Sequence, residues 1–157
     1  MRTRCPQRGE RGGVDLNRTG LPSGHGLSMA SEDYLESIYR LVTESGASAE
    51  QGIRSVDVAD QLGVSKASVS KALSTLRDAG MVEQMRYGRV TLTERGRVYA
   101  RRVWRTHRML RAFLHDELGV ELEAADEGAC LLEHYLSEDT MSRWSDYLER
   151  QWISIAE

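Results

Sequence analysis

Three residues with metal-binding chemistry stand close together in Asp126-Glu127-Gly128-Ala129-Cys130-Leu131-Leu132-Glu133-His134-Tyr135-Leu136-Ser137: Cys130, Glu133 and His134. Read as a helix, the segment sets them at i, i+3 and i+4, so a thiolate, a carboxylate and an imidazole share one face. That is half of a transition-metal site, and zinc, iron and manganese each accept some of these ligands. Leu131, Leu132, Tyr135 and Leu136 supply packing around them. The triplet also suits a plainer role, a buried cysteine beside a solvated Glu–His pair, because free cysteine is often a small core residue. Two upstream places carry related chemistry. Asp33 and Glu36 lie three apart near the start of a helix, and His107 lies on a long arginine-rich helix. Each has an ordinary reading alone: acids favour a first turn because of the helix dipole, and a single helical histidine is most often surface or core. Cys130 with His107 or His134 as base would form a nucleophile pair, but no glycine-rich phosphate loop or oxyanion-hole signature accompanies it.

The elements that must position these residues follow from the hydrophobic pattern. Ser31 to Glu44 is the first expected helix, with Ser31 as N-cap and Tyr34, Leu35, Ile38, Leu41 and Val42 as its apolar stripe. Ala47 to Gly52 reads as a loop. Val56, Val58, Ala59 and Leu62 make a short amphipathic helix that Gly63 ends, and Ser65 caps a second helix with Val69, Ala72, Leu73 and Leu76 inward. Two short helices joined by Leu-Gly-Val-Ser form a helix-turn-helix. Its outward residues, Ser65, Lys66, Ala67, Ser68, Ser70 and Lys71, are small or basic, as a helix entering a major groove requires. Gly80 to Thr93 reads as a hairpin turning at Tyr87-Gly88, a wing whose Arg86 and Arg89 suit the DNA backbone or a minor groove. Thr93 caps a long helix from Glu94 to about Leu118, Gly119 breaks it, and Glu121 to Ser137 holds the opening triplet. A last helix runs from Ser137 to about Trp152. Its stripe of Met141, Trp144, Leu148 and Trp152 is expected to form a two-fold interface.

Charge divides the chain in the same way. The net charge of −3 hides a balance of +8 over residues 54–111, with 13 Lys/Arg against 5 acids, and of −10 over residues 112–157, with 2 Arg against 12 acids. A basic block beside an acidic one is the footprint of a nucleic-acid-binding module joined to a cation-binding or dimerising one. No apolar run approaches the ~20 residues of a membrane span. Cys5 and Cys130 offer no disulfide framework, which suits a reducing cytoplasm. Residues 1–28, rich in Gly and Arg, have little to bury and read as a disordered tail, either a basic arm or a start-site artefact ahead of Met29.

In this order the motifs resemble the metal-dependent repressors related to the diphtheria toxin repressor, and most of all their shorter manganese transport regulator branch. The resemblance rests on Glu32 to Tyr39, Val58-Ala59 to Leu76, the wing ending at Leu92-Thr93, Thr106-His107-Arg108-Met109-Leu110 and Glu133 to Ser137. It implies a mainly α fold, with a winged helix-turn-helix DNA-binding domain at 29–100 and an all-helical metal-binding and dimerisation domain at 101–157. It also implies metal ligands at Asp33, Glu36, His107, Cys130, Glu133 and His134. Cys130 departs from the manganese branch, where a Glu usually stands, and Asp33 departs from the iron branch, where a Met does. The second iron-branch site is broken by Arg111, where an acid is expected, and by Asp126, where a His is expected. With Glu157 as its last residue, the chain is expected to be without the SH3-like third domain of longer members, which again resembles the manganese branch.

The expected cofactor is a divalent transition metal, Mn²⁺ ahead of Fe²⁺, because Asp33, Glu36 and Glu133 are hard ligands against one soft thiolate. The expected partners are double-stranded operator DNA and a second copy of the chain, with no membrane and no small-molecule substrate. The expected activity is metal-activated repression of metal transport genes in the cytoplasm, not enzymatic catalysis. An iron-responsive repressor and a metal-independent winged-helix regulator are the alternatives.

Overall fold

A computed structural model describes residues 27–46 and 51–151, leaving the side chain of Arg86 undescribed. The expectations placed on the tail before Leu27, on the loop at 47–50, on the Arg86 side chain and on Trp152 therefore lie outside the described residues. In chain order the elements are α1 (Met29–Ser45), β1 (Ile53–Arg54), α2 (Ser55–Leu62), α3 (Lys66–Asp78), β2 (Val82–Gln84), β3 (Arg89–Leu92), α4 (Glu94–Ala112), α5 (Leu122–Tyr135) and α6 (Glu138–Gln151). The described chain is mainly helical with one small sheet, and it separates into two compact units, the division falling within α4 between Arg105 and Thr106.

In the first unit, each helix buries the face its spacing predicts. Leu35 and Ile38 of α1, Val58 of α2 and Leu76 of α3 are fully buried, each contributing about 1.5–3 kcal/mol of hydrophobic stabilisation. Gly63 ends α2 in the left-handed conformation, with φ 64° and ψ 35°, which a residue with a Cβ adopts only at a cost. The Ser65 hydroxyl then accepts a hydrogen bond from the Ser68 N–H at 3.1 Å, capping α3. After α3, β2 and β3 pair antiparallel with Gln84 opposite Val90, and the chain turns at Arg86–Gly88. Tyr87 sits there at φ 63°, 97% exposed.

The sheet has three strands in the order β1-β3-β2, one more than the expected hairpin. The extra strand, β1, is two residues long and exists through pairing Ile53 with Val90 and Arg54 with Arg89, so no alternating pattern in the chain could announce it. Thr93 caps α4 as expected, its hydroxyl accepting from the Gly96 N–H at 3.0 Å. Within the first unit α4 also holds α1. The Tyr99 hydroxyl donates to the buried carboxylate of Glu32, and the Arg40 guanidinium lies 4.5 Å from the Trp104 ring centre. Helix α1 starts two residues earlier than expected. Met29 and Ala30 are good helix formers, and Ser31 is a buried helical residue, not a cap.

In the second unit, Met109 and Leu110 of α4, Ala129 of α5, and Met141 and Leu148 of α6 form a buried core. Phe113, Leu132, Leu136 and Trp144 pack against it, with Phe113 and Trp144 edge-to-face at 5.3 Å. Helix α4 stops at Ala112 and continues as one wider π-type turn, Phe113–Glu117, before Gly119 breaks the run. The Ser137 hydroxyl accepts from the Thr140 N–H at 3.2 Å and so caps α6.

Candidate metal centre and nucleic-acid interface

The second unit gathers four of the six expected ligands. His107 comes from α4; Cys130, Glu133 and His134 come from one face of α5, and all four are buried. The Glu133 carboxylate is central. One oxygen, Oε2, lies 3.2 Å from His107 Nδ1, and the other, Oε1, lies 3.6 Å from His134 Nε2. Cys130 Sγ is within 4.8 Å of a His134 ring nitrogen. The Glu133 side chain is only 2% exposed. A carboxylate so far from water requires positive charge beside it. A protonated imidazole could supply that charge, and so could a divalent cation held by the oxygen, nitrogen and sulfur donors gathered here. The donor set therefore fits a transition metal.

Cys130 is disulfide-bonded in the structure, contrary to the expectation that the two cysteines stay unpaired; the chain's other cysteine, Cys5, lies outside the described residues. A pair of cysteines is the minimum for a bridge, and composition alone does not decide between thiol and disulfide. Only the reduced thiolate is a metal ligand. The other two expected ligands belong to α1 of the first unit. Glu36 is buried, with Oε1 3.9 Å from Arg40 Nη1, and Asp33 is half-buried.

One residue taken only as a departure from the family pattern touches this cluster. Asp126 Oδ1 is 3.0 Å from His107 Nε2 and 3.6 Å from Arg111 Nη1. Spacing within each helix carried only part of the signal. Asp126, Cys130 and Glu133 share a helical face, as do His107 and Arg111, four apart on the preceding helix.

On α3, Lys66, Ala67, Ser68, Ser70 and Lys71 are exposed along one polar surface. Ser65 is exposed too, but its hydroxyl is engaged in the cap and lies 2.9 Å from the Ser68 hydroxyl. Arg89 Nη1 donates to the carbonyls of Gln51 at 2.8 Å and Gly52 at 3.0 Å, which ties β3 to the segment entering β1.

Of the expected dimer stripe, Met141 and Leu148 are 8% and 1% exposed and belong to the core of their own unit, while Trp144 is half-buried against Phe113 and Trp152 lies outside the described residues. The large apolar side chains this unit leaves exposed include Leu131, Tyr135 and Tyr147.

Residues 26–90 match the description "Iron dependent repressor, N-terminal DNA binding domain", and residues 93–151 match "Iron dependent repressor, metal binding and dimerisation domain". The chain belongs to the iron-dependent repressor family. The resemblance to the diphtheria toxin repressor relatives is therefore confirmed, and with it the mainly α fold of a winged helix-turn-helix followed by an all-helical domain.

Among similar proteins, the chain is 34% identical to the transcriptional regulator MntR of Escherichia coli, over 76% of this chain and 73% of that protein. It is 32% identical to an uncharacterized HTH-type transcriptional regulator of Methanocaldococcus jannaschii, over 79% of this chain and 96% of that one. Among solved structures, the manganese regulator SloR matches with a TM-score of 0.64 at 28% identity, covering 76% of this chain and 53% of that one. A manganese-dependent transcriptional repressor in complex with manganese matches with a TM-score of 0.62 at 33% identity, covering 76% and 52%. The chain thus spans about half the length of these solved relatives. The family is one of metal-dependent transcriptional regulators, and this chain carries both of its modules.

Proposed function

We propose that this chain is a manganese-responsive, DNA-binding repressor that acts as a homodimer in the cytoplasm, controls metal transport genes and catalyses no reaction. The observation that carries the proposal is the buried Glu133 carboxylate set between His107 and His134, with Cys130 beside it, in a chain that also has an exposed polar recognition helix. Names among the relatives agree, since MntR proteins and manganese regulators recur. No described helix is long and apolar enough to cross a membrane.

In this reading His107, Glu133 and His134 of the second unit hold a divalent cation, reduced Cys130 joins them, and Asp33 and Glu36 of α1 complete the set. A bound cation would supply the positive charge that lets acids and imidazoles from both units share one site. Metal-bound and metal-free chains then differ in how firmly the DNA-reading unit is held. The coupling is reciprocal, so DNA tightens metal binding by the same factor as metal tightens DNA binding. Lys66, Ala67, Ser68, Ser70 and Lys71 face the major groove, with Arg86 at the wing tip on the backbone. Leu131, Tyr135 and Tyr147, which are among the exposed large apolar side chains of the second unit, are the proposed contact between copies.

Manganese is placed ahead of iron because carboxylates outnumber the thiolate in this set. The test is selection of a duplex from a random pool in the presence of Mn²⁺, followed by titration of that duplex with reduced protein and each of Mn²⁺, Fe²⁺ and Zn²⁺. Tight binding at the lowest free concentration of Mn²⁺ that a cell would hold supports the reading; activation by Fe²⁺ alone would move the chain to the iron branch.

A further inference from the structure

We infer that Asp126 is a positioning residue for the metal centre: it fixes the ring orientation and tautomer of His107, and Arg111 in turn holds Asp126. The inference deepens the metal-site reading and rests on it. Both ring nitrogens of His107 face carboxylates, Nδ1 toward Glu133 at 3.2 Å and Nε2 toward Asp126 at 3.0 Å. These two carboxylates are not equivalent. Glu133 is 2% exposed and shares its surroundings with His134 and Cys130, so the metal-facing side of the ring is Nδ1. Asp126 is 20% exposed and lies 3.6 Å from the guanidinium of Arg111, itself 38% exposed, so its side of the ring opens toward solvent and carries its own counter-charge.

A neutral imidazole has one N–H and one lone pair. Donation of the Nε2 proton to the ionised Asp126 leaves the Nδ1 lone pair pointing at Glu133, as ligation requires. Without Asp126 the two tautomers compete, and the one with its proton on Nδ1 donates to Glu133 and blocks both ligands at once. Partners of this kind on the far side of a ligating histidine are worth about 10–100-fold in metal affinity. The same arrangement commits Nε2 to Asp126, so His107 serves one ion and not two. The residues that break the family's second site are thereby given a role in the first.

The experiment uses reduced full-length protein, with ¹⁵N NMR of the histidine rings in the metal-free state and Mn²⁺ binding followed by calorimetry. The metal-free wild type is expected to show His107 protonated on Nε2 alone. Asp126→Ala should give mixed tautomer signals and lower Mn²⁺ affinity at least about 10-fold. Asp126→Asn, whose amide oxygen still accepts the Nε2 proton, should restore the tautomer and most of the affinity. Identical His107 signals in Asp126→Ala, or Mn²⁺ affinity within about twofold of wild type, would overturn the inference and leave Asp126 as a surface partner of Arg111. A wild-type chain that bound no Mn²⁺ would overturn the metal reading itself, a result the ring spectra of the metal-free protein distinguish from failure of the Asp126 contact.

Discussion

Gly96→Ala tests how α4 is seated in the first unit. Gly96 lies in the first turn of α4, against the chain that leads into the wing. A Cβ added there would sit 1.9 Å from the Met81 carbonyl oxygen and 2.8 Å from the Met81 carbonyl carbon. Real Cβ contacts are not found below 3.0 Å, so α4 and Met81 must part by about 1.1 Å. The obstacle is backbone and cannot swing aside. The same Met81 oxygen accepts from the Thr93 N–H and from the Thr93 hydroxyl, both at 3.1 Å, and a shift of that size breaks them. Two lost hydrogen bonds cost about 1 kcal/mol each, and overpacking adds roughly 1–3 kcal/mol. Against this, alanine gains about 1 kcal/mol of helix propensity over glycine. The net loss is about 2–4 kcal/mol, a fall in melting temperature of roughly 5–15 °C. Gly128→Ala in α5 is the control, since its new Cβ would meet only the flexible end of Leu114 at 3.1 Å. Thermal unfolding of both variants by circular dichroism should therefore show a large fall for Gly96→Ala and a change within about 1 kcal/mol for Gly128→Ala. A rise in melting temperature for Gly96→Ala would refute the close seating of α4 on Met81.

Lys71→Ala should weaken DNA binding and reduce the slope of log affinity against log salt by about 0.9, the value for one phosphate contact, as read by fluorescence anisotropy at several salt concentrations; an unchanged slope would remove Lys71 from the interface. Cys130→Ser should abolish the sulfur-to-cobalt charge-transfer band expected when Co²⁺ is added to reduced protein, and omission of reductant should suppress the same band because the disulfide form offers no thiolate. Cys130→Glu should raise the preference for Mn²⁺ over Zn²⁺ by exchanging a soft ligand for a hard one, measured as a ratio of dissociation constants. Leu131→Asp with Tyr135→Asp should turn the dimer into a monomer in light scattering while leaving the helical signal intact; a dimer unchanged by both substitutions would place the interface elsewhere.

Much of the fold was legible because local chemistry and global packing agree in it. Gly63 and Ser65 mark the turn between two amphipathic helices, and both act as their residue types require. Thr93 and Ser137 announce the helices they cap. What stayed hidden depends on partners distant in the chain. Strand β1 is made by β3, and Arg89 is drawn to carbonyls 37 and 38 positions earlier. The α6 stripe of Met141, Trp144 and Leu148 was legible as apolar, but the pattern does not say whether such a face meets its own core or another copy. At the candidate metal centre, the spacing of Cys130, Glu133 and His134 placed the three on one face of α5, where the structure has them. The bond from His107 to Asp126 did not follow from spacing, because it requires the facing of α4 and α5 in three dimensions.

The proposed function requires one coupling, between a divalent metal and DNA. Anisotropy of a labelled, Mn²⁺-selected duplex, measured with reduced protein in Mn²⁺ and again after excess chelator, tests it most directly. The predicted result is tight binding with Mn²⁺, a loss of about 10-fold or more on chelation, within the usual range of allosteric coupling, and the same loss in Glu133→Gln with Mn²⁺ present. Equal affinity with Mn²⁺ and with chelator would contradict the account and make this chain a winged-helix regulator that works without metal.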